Sequence, residues 1–479
     1  MQPDHELTSD QRDDNRLGTD MNRLLTAGLC AGYFLVLLDV TVVNVALPQL
    51  DTHFRAGGGL AWVVDAYTVP LAALLLAVGA VGDRIGHRGI VLAGFTGFGA
   101  ASAVCAVAPT LGVLVAGRVL QGTAAALMLP GTLALLMRAA PDERARTRAV
   151  GLWAAVGGAA LPAGPVVGGL LVQIGGWRSV FWIGVPVIVV ALTTVLMSRS
   201  PALDPPSSPT LVRAELSSVD WPGAALLAIS LGCAVTALIQ GTDNTALAVA
   251  LVAAAALTSC TLWWLERHSS EPLLRVAAVA RRPLALACGV AAVMNLCVQG
   301  ALFVLTRAFQ TVHGLSPLAA GLVMLPAMAP LPLLGAPSAR LITRIGHWRT
   351  SALGLLIAAI GFVWVSLSLS SASSSPNHPM LVCSLLVWGC GIGVLTPGIV
   401  SSAMHAVPES PGMAAGAGNT SRQAGGAIGV ALFGAIAGTQ ADTSFTQHVG
   451  ALLCAGAVAF LLAALTCVLL PGHASSRRA

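Results

Sequence analysis

The sequence predicts an all-α polytopic membrane protein. Of its 479 residues 56% are hydrophobic, only 9% are charged, and 52 glycines are spread through the apolar runs. A soluble domain carries about a quarter charged residues. In lipid every backbone polar group must be satisfied inside a helix, and glycine lets such helices approach closely.

A helix needs about 20 apolar residues to cross the hydrocarbon core. Fourteen segments qualify, near 24–48, 60–81, 90–108, 110–138, 149–173, 178–198, 221–240, 246–266, 284–306, 317–338, 350–370, 379–404, 416–438 and 447–470. The first is not expected to be a cleaved signal segment, because a long polar stretch precedes it and Asp39 interrupts it.

Basic residues are retained on the cytoplasmic side of a membrane. All 25 basic residues are arginine. With the N-terminus inside, 20 fall in cytoplasmic segments, three outside (Arg55, Arg178, Arg307), and Arg118 and Arg422 within spans. Both termini are therefore expected in the cytoplasm of a plasma-membrane protein.

Composition shifts divide the chain into a tail 1–23, a six-helix half 24–198, a Pro- and Ser-rich linker 199–220, two inserted helices 221–266, a linker 267–283, a second six-helix half 284–470 and a tail 471–479. The linker 267–283 carries Arg267, Arg275, Arg281 and Arg282, which set topology or meet anionic lipid headgroups. The halves are expected to be repeats. Arg84-Ile85-Gly86-His87 recurs as Arg344-Ile345-Gly346-His347, an offset of 260 that Pro70/Pro330 and Gly94/Gly354 keep. Parallel halves related by an axis along the membrane normal are one way transporters are built.

Several classes of function lack support. Without lysine there is no Gly-Lys-Ser/Thr phosphate loop, so ATP-driven pumping of that kind is not expected. The ten cysteines sit in apolar runs with no Cys-x-x-Cys, and no histidines stand at ligand spacing, so neither a metal nor another cofactor is expected. No Gly-x-Ser-x-Gly supports an enzyme, and no nucleic-acid partner is expected.

Leu38-Asp39-Val40-Thr41-Val42-Val43-Asn44-Val45-Ala46-Leu47-Pro48, Gly79 to Arg88 around Gly82-Asp83-Arg84-Ile85-Gly86-His87, Arg118-Val119-Leu120-Gln121-Gly122, Gly164-Pro165-Val166-Val167-Gly168-Gly169 and Asn419-Thr420-Ser421-Arg422-Gln423 resemble the signature runs of the major facilitator superfamily. Within it they resemble the 14-span drug:proton antiporters, such as actinobacterial antibiotic-resistance exporters. The resemblance covers nearly the whole chain. It implies the major-facilitator fold, with two six-helix halves plus two inserted helices, and a proton-coupled exporter of small amphipathic compounds.

Asp39 lies about fifteen residues into the first span, in its outer half at about 1.5 Å per residue. An acid at that depth marks an ion or proton path, or else belongs to a fixed ion pair. Arg118 reaches a similar depth from the opposite direction, and the resemblance implies that it couples to proton movement. Asp65 reads as a solvated interface residue or a second proton site. Asn44, Gln121, Gln299 and Arg422 are candidates for the substrate cavity, although polar side chains also join helices in lipid. Asp83, Arg84 and Arg88 are placed to form a cytoplasmic gate. Gly164, Pro165, Gly168 and Gly169 make the fifth span a close-packing, bendable seam.

The expected partners are a small-molecule substrate, protons and membrane lipid, with the chain acting as a monomer. Alternatives are an exporter of one endogenous metabolite (an antibiotic precursor, siderophore or lipid) and a membrane enzyme or sensor.

Overall fold

Apolar runs of this length leave the backbone no partner but itself, and the computed structural model is almost entirely helical over its described residues, 9–55, 59–140, 142–198, 221–240, 244–268, 278–370, 379–407, 411–438 and 444–469. The first half contains α1 (Ser9–Phe54), α2 (Leu60–Ile85), α3 (His87–Ala106), α4 (Leu111–Ala139), α5 (Glu143–Gly175), α6 (Trp177–Trp182) and α7 (Gly184–Met197). Next come α8 (Trp221–Gln240) and α9 (Thr245–His268). The second half contains α10 (Ala278–Thr311), α11 (Pro317–Met328), α12 (Pro330–Leu333), α13 (Gly335–Ile345), α14 (His347–Ser370), α15 (Pro379–Ala406), α16 (Pro411–Ala437) and α17 (Phe445–Leu469).

Among the described residues ten of these, and α6 with α7 as the single stretch Trp177–Met197, are long and apolar enough to cross a membrane, which makes eleven spans, or twelve if the bent pair Pro317–Leu333 and Gly335–Ile345 is one span. This falls short of the fourteen crossings expected from sequence. In α2 only the shorter stretch Leu60–Leu75 is counted as apolar helix. The continuous helix α16 carries the polar run Asn419 to Gln423 near its middle.

The internal repeat has a structural counterpart. Gly86 and Gly346 adopt φ of 94° and 87°, and their amides cap α2 and α13 by donating to Gly82 O at 3.0 Å and Ile342 O at 2.9 Å. That backbone is nearly closed to residues with a Cβ, so both copies need glycine. Gly94 packs on Ala124 O in α4, as Gly354 packs on Gly391 O in α15. Gly122 lies against the Tyr67 carbonyl and Gly131 against Val91; Gly389 lies against the Ala327 carbonyl and Gly398 against Ser351. The four partners keep the offset of 260, while the glycines on α4 and α15 are 267 apart.

The inserted helices stand at the seam between the halves. α8 packs on both α2 and α16, and α9 packs on α8. Ser230 Oγ meets Ser259 Oγ at 2.6 Å between the two. No residue of α9 is buried, and Leu247, Val252, Leu257, Trp263 and Trp264 are exposed.

Candidate functional site

The site begins with a charge that lipid cannot solvate. Arg118, on α4, is 1% exposed and is paired with the buried carboxylate of Asp39 on α1. Its Nε donates to Val63 O of α2 at 2.8 Å, and its terminal nitrogen also donates to Gln121 Oε1 at 3.0 Å. Gln121 then donates to Ser102 Oγ of α3 at 2.8 Å. Cys105 Sγ donates to the Gln121 oxygen at 3.4 Å. The guanidinium lies 4.4 Å from the Tyr67 ring centroid, and Tyr67 itself donates to Val36 O at 3.0 Å. An ion pair removed from water is costly unless further hydrogen bonds accompany it, and here they occupy Nε and one terminal nitrogen of Arg118.

The same offsets that relate the halves carry Ser102 to Phe362 and Gln121 to Trp388. There the polar network is replaced by an aromatic one. Phe362 and Trp388 meet edge to face at 5.1 Å, and Phe460 lies 5.1 Å from Phe362. No Asp or Glu occurs among the described residues from 278 onward. The ion pair therefore belongs to one half.

Asp65 departs from the solvated-interface expectation. It is fully buried, its Oδ1 accepts from Thr68 Oγ1 at 3.5 Å, and its Oδ2 has no partner. Arg307, expected outside the membrane, is also buried. It sits between the Phe303 and Phe445 rings at 5.4 and 5.7 Å, with Asp51 as its charged neighbour.

Asn44 Nδ2 donates to Val40 O at 3.3 Å, while its buried Oδ1 is unpartnered. Gln299 is buried against Gly426. Arg422, on α16, is partly buried with its Nε shut off from solvent and without an acceptor. These candidates lie outside the Asp39–Arg118 network. The side chains of Asp83 and Arg84 lie outside the described residues. Arg88 donates to Ser198 O at 2.9 Å and Val195 O at 3.4 Å, which ties α3 to the end of α7 within one half.

The glycines of α5 explain how the halves approach. A methyl group at Gly164 would overlap Thr41 Oγ1, and one at Gly168 would come within 2.9 Å of Val42 O, both on α1. At Gly169 it would meet Leu318 Cα of α11 at 2.6 Å, while Gly321 of α11 lies directly on the Pro165 carbonyl. Near the same end of the bundle Gln310 Nε2 donates to Val45 O at 3.0 Å, linking α10 to α1. A recess of about 620 Å³ is lined there by Gln49, His53, Trp177, Gln310 and Pro317 among others. The end where α1 turns into α2 is therefore where α5–α11 and α1–α10 close together.

Sequence reading missed Tyr67, Ser102 and Cys105, and also Tyr33 and Trp153, which stack at 3.7 Å across α1 and α5. One signal was available. The chain holds only two tyrosines, Tyr33 and Tyr67, and both stand at this buried interior.

Residues 29–430 match the Major Facilitator Superfamily. The chain is 34% identical to the methylenomycin A resistance protein of Bacillus subtilis (strain 168), over 93% of this chain and 94% of that one. It is 32% identical to the drug efflux pump JefA of Mycobacterium tuberculosis (strain ATCC 25618 / H37Rv), over 87% and 81%. In fold it is similar to a peptide transporter, POT, solved in complex with sulfate, at a TM-score of 0.69 and 15% identity over 94% of each chain. It also resembles the xylose transporter XylE from E. coli, at 0.61 and 13% over 93% and 98%. A sequence match over most of the chain, joined to a repeated helical bundle with a buried ion pair in one half, means that the chain belongs to the Major Facilitator Superfamily.

Proposed function

We propose that the chain is a proton-coupled exporter of small amphipathic compounds, antibiotics or other toxic organic molecules, working as a monomer by alternating access. It spans the plasma membrane fourteen times with both termini in the cytoplasm. The observation that carries the reading is the buried Asp39–Arg118 pair and the hydrogen-bond network around it. Relatives named as drug efflux and antibiotic-resistance proteins support the substrate class.

On this reading the close contacts among α1, α5, α10 and α11 seal the extracellular side, and substrate enters from the cytoplasm or inner leaflet. Rocking of the halves opens the α5–α11 seam outward. A proton arriving from outside neutralises Asp39 and releases Arg118, and its loss to the cytoplasm restores the pair and resets the carrier. Asp65, buried near the sealed end, is a second stop on the proton path. Asp83, Arg84 and Arg88 close the cytoplasmic side when the outer side opens. The alternative, export of one endogenous metabolite, is favoured by the lack of acids among the described residues of the second half, which suits a narrow range of neutral or anionic substrates.

The test is reconstitution in vesicles with an imposed pH gradient, following proton movement as antibiotics and lipophilic compounds are added one at a time. Compound-dependent proton flux is expected. Transport without proton movement would contradict the coupling.

A further inference from the structure

The halves close together at the end where α1 turns into α2, and toward the opposite end the two sides of the bundle differ. On one side the gap can be followed along a single face of α5. A Cβ at Gly321 of α11 would lie 2.1 Å from the Pro165 carbonyl oxygen, so the helices touch there. At Gly158 a Cβ would still meet Pro332 Cβ of α12 at 3.5 Å. At Gly151 it would meet nothing within 4 Å. Gly151, Gly158 and Pro165 follow one another at intervals of two helical turns, about 10 Å each, so they share a face and mark a gap that widens away from the sealed end. Ala155, one turn from Gly151, is exposed.

The opposite wall of this gap recedes for a visible reason. The chain bends by 52° between Pro317–Leu333 and Gly335–Ile345. Ser338 Oγ then donates to Gly393 O at 3.4 Å, which holds α13 on α15. A Cβ at Gly335, at the bend, would also meet nothing within 4 Å, and Leu333 is exposed.

On the other side of the bundle α2 faces α16. A Cβ at Gly434 would lie 3.8 Å from Ala61 Cβ, so these helices too meet near the sealed end. Toward the far end of α2, Ala77 and Val81 are buried in one apolar cluster with Ala224 of α8, and Ile90 of α3 packs against it. α8 packs on α16 as well. The inserted helix therefore occupies on this side the place that stands open beside Gly151 and Gly335. Amphipathic compounds collect at the boundary of headgroups and acyl chains, so a gap at leaflet depth meets them where they are most concentrated.

We propose that amphipathic substrate enters the bundle from the membrane through the gap between α5 and the α12–α13 bend, and that α8 shuts the corresponding gap between α2 and α16. This rests on the efflux reading above, whose orientation puts the open end in the cytoplasmic leaflet, and it gives the inserted helices a role in where substrate enters.

The gaps are tested on the wild-type chain in vesicles of phosphatidylcholine with a diazirine in one acyl chain. On illumination the diazirine loses N2, the carbene inserts into the bonds it touches, and fragment masses locate the adducts. Adducts are expected at Gly151, Ala155 and Gly335 and not at Ala77 or Val81. Adducts on both sides, or on neither, would overturn the proposal. Entry is tested in energised inside-out vesicles with trimethylammonium-diphenylhexatriene, whose fixed charge keeps it in the leaflet to which it is added and which fluoresces only in lipid. Gly151→Trp and Gly335→Trp each place a bulky ring in open space and should lose most of the wild-type rate of dye removal. Leu257→Trp, on the exposed face of α9, should keep it. Undiminished removal by both gap variants would overturn the entry route alone. No removal by the wild type would count against the efflux reading and against entry of this amphiphile, while the adducts, which need no transport, still decide on which side the bundle is open.

Discussion

Two tyrosines serve the whole chain, Tyr67 with its ring under the Arg118 guanidinium and Tyr33 stacked on Trp153. At this scale part of the site was legible in the sequence. The depth of Asp39 and Arg118 follows from counting residues along their spans, and the structure joins them. Gln121 was readable only as a polar residue in lipid; that it bridges Arg118 to Ser102 depends on three helices that periodicity does not place. The pairing has a thermodynamic consequence. Arg118→Leu leaves the Asp39 carboxylate buried alone and should destabilise the protein by about 3–5 kcal/mol. Adding Asp39→Asn should recover part of that loss, because the stranded charge is gone. Thermal unfolding in detergent reads both, and equal stability of Arg118→Leu and wild type would argue against a desolvated pair.

Among the elements, glycine decides both the turns and the seams. Gly86 holds φ at 94°, so Gly86→Ala should cost roughly 1–3 kcal/mol. Gly89 on α3 has open space at its Cβ position, and Gly89→Ala should leave stability unchanged or slightly raised. A melting comparison of the two variants separates backbone strain from simple loss of glycine. The α5–α11 seam makes a different prediction. Gly321→Leu wedges a side chain against the Pro165 carbonyl and should hold that end of the bundle open. In a background whose native cysteines are replaced by serine, Gln310→Cys should then react faster with a membrane-impermeant maleimide applied from outside. An unchanged rate would mean that this seam does not close the outer side. The glycine motif of α5 was legible as a packing surface. Its division between α1 (Gly164, Gly168) and α11 (Gly169) was not, because residues one position apart turn to different neighbours on a helix.

In the molecule as a whole, the repeat was legible from four residues and an offset, because a glycine forced to positive φ must recur wherever the same turn recurs. The number of crossings was less so. α2 and α16 carry polar residues and glycine inside the bundle, and hydropathy alone does not separate a polar span from a non-spanning helix. The asymmetry between halves was hidden as well. Ser102 and Gln121 have Phe362 and Trp388 as counterparts only once the packing supplies two offsets instead of one. That asymmetry puts the buried Asp39–Arg118 pair in the first half and an aromatic cluster at the matching place in the second. The most direct measurement compares wild type with Asp39→Asn in vesicles for two processes, export driven by a pH gradient and exchange of labelled for unlabelled substrate without one. Asp39→Asn is expected to lose gradient-driven export and to keep exchange. Gradient-driven export that persists in Asp39→Asn would contradict it.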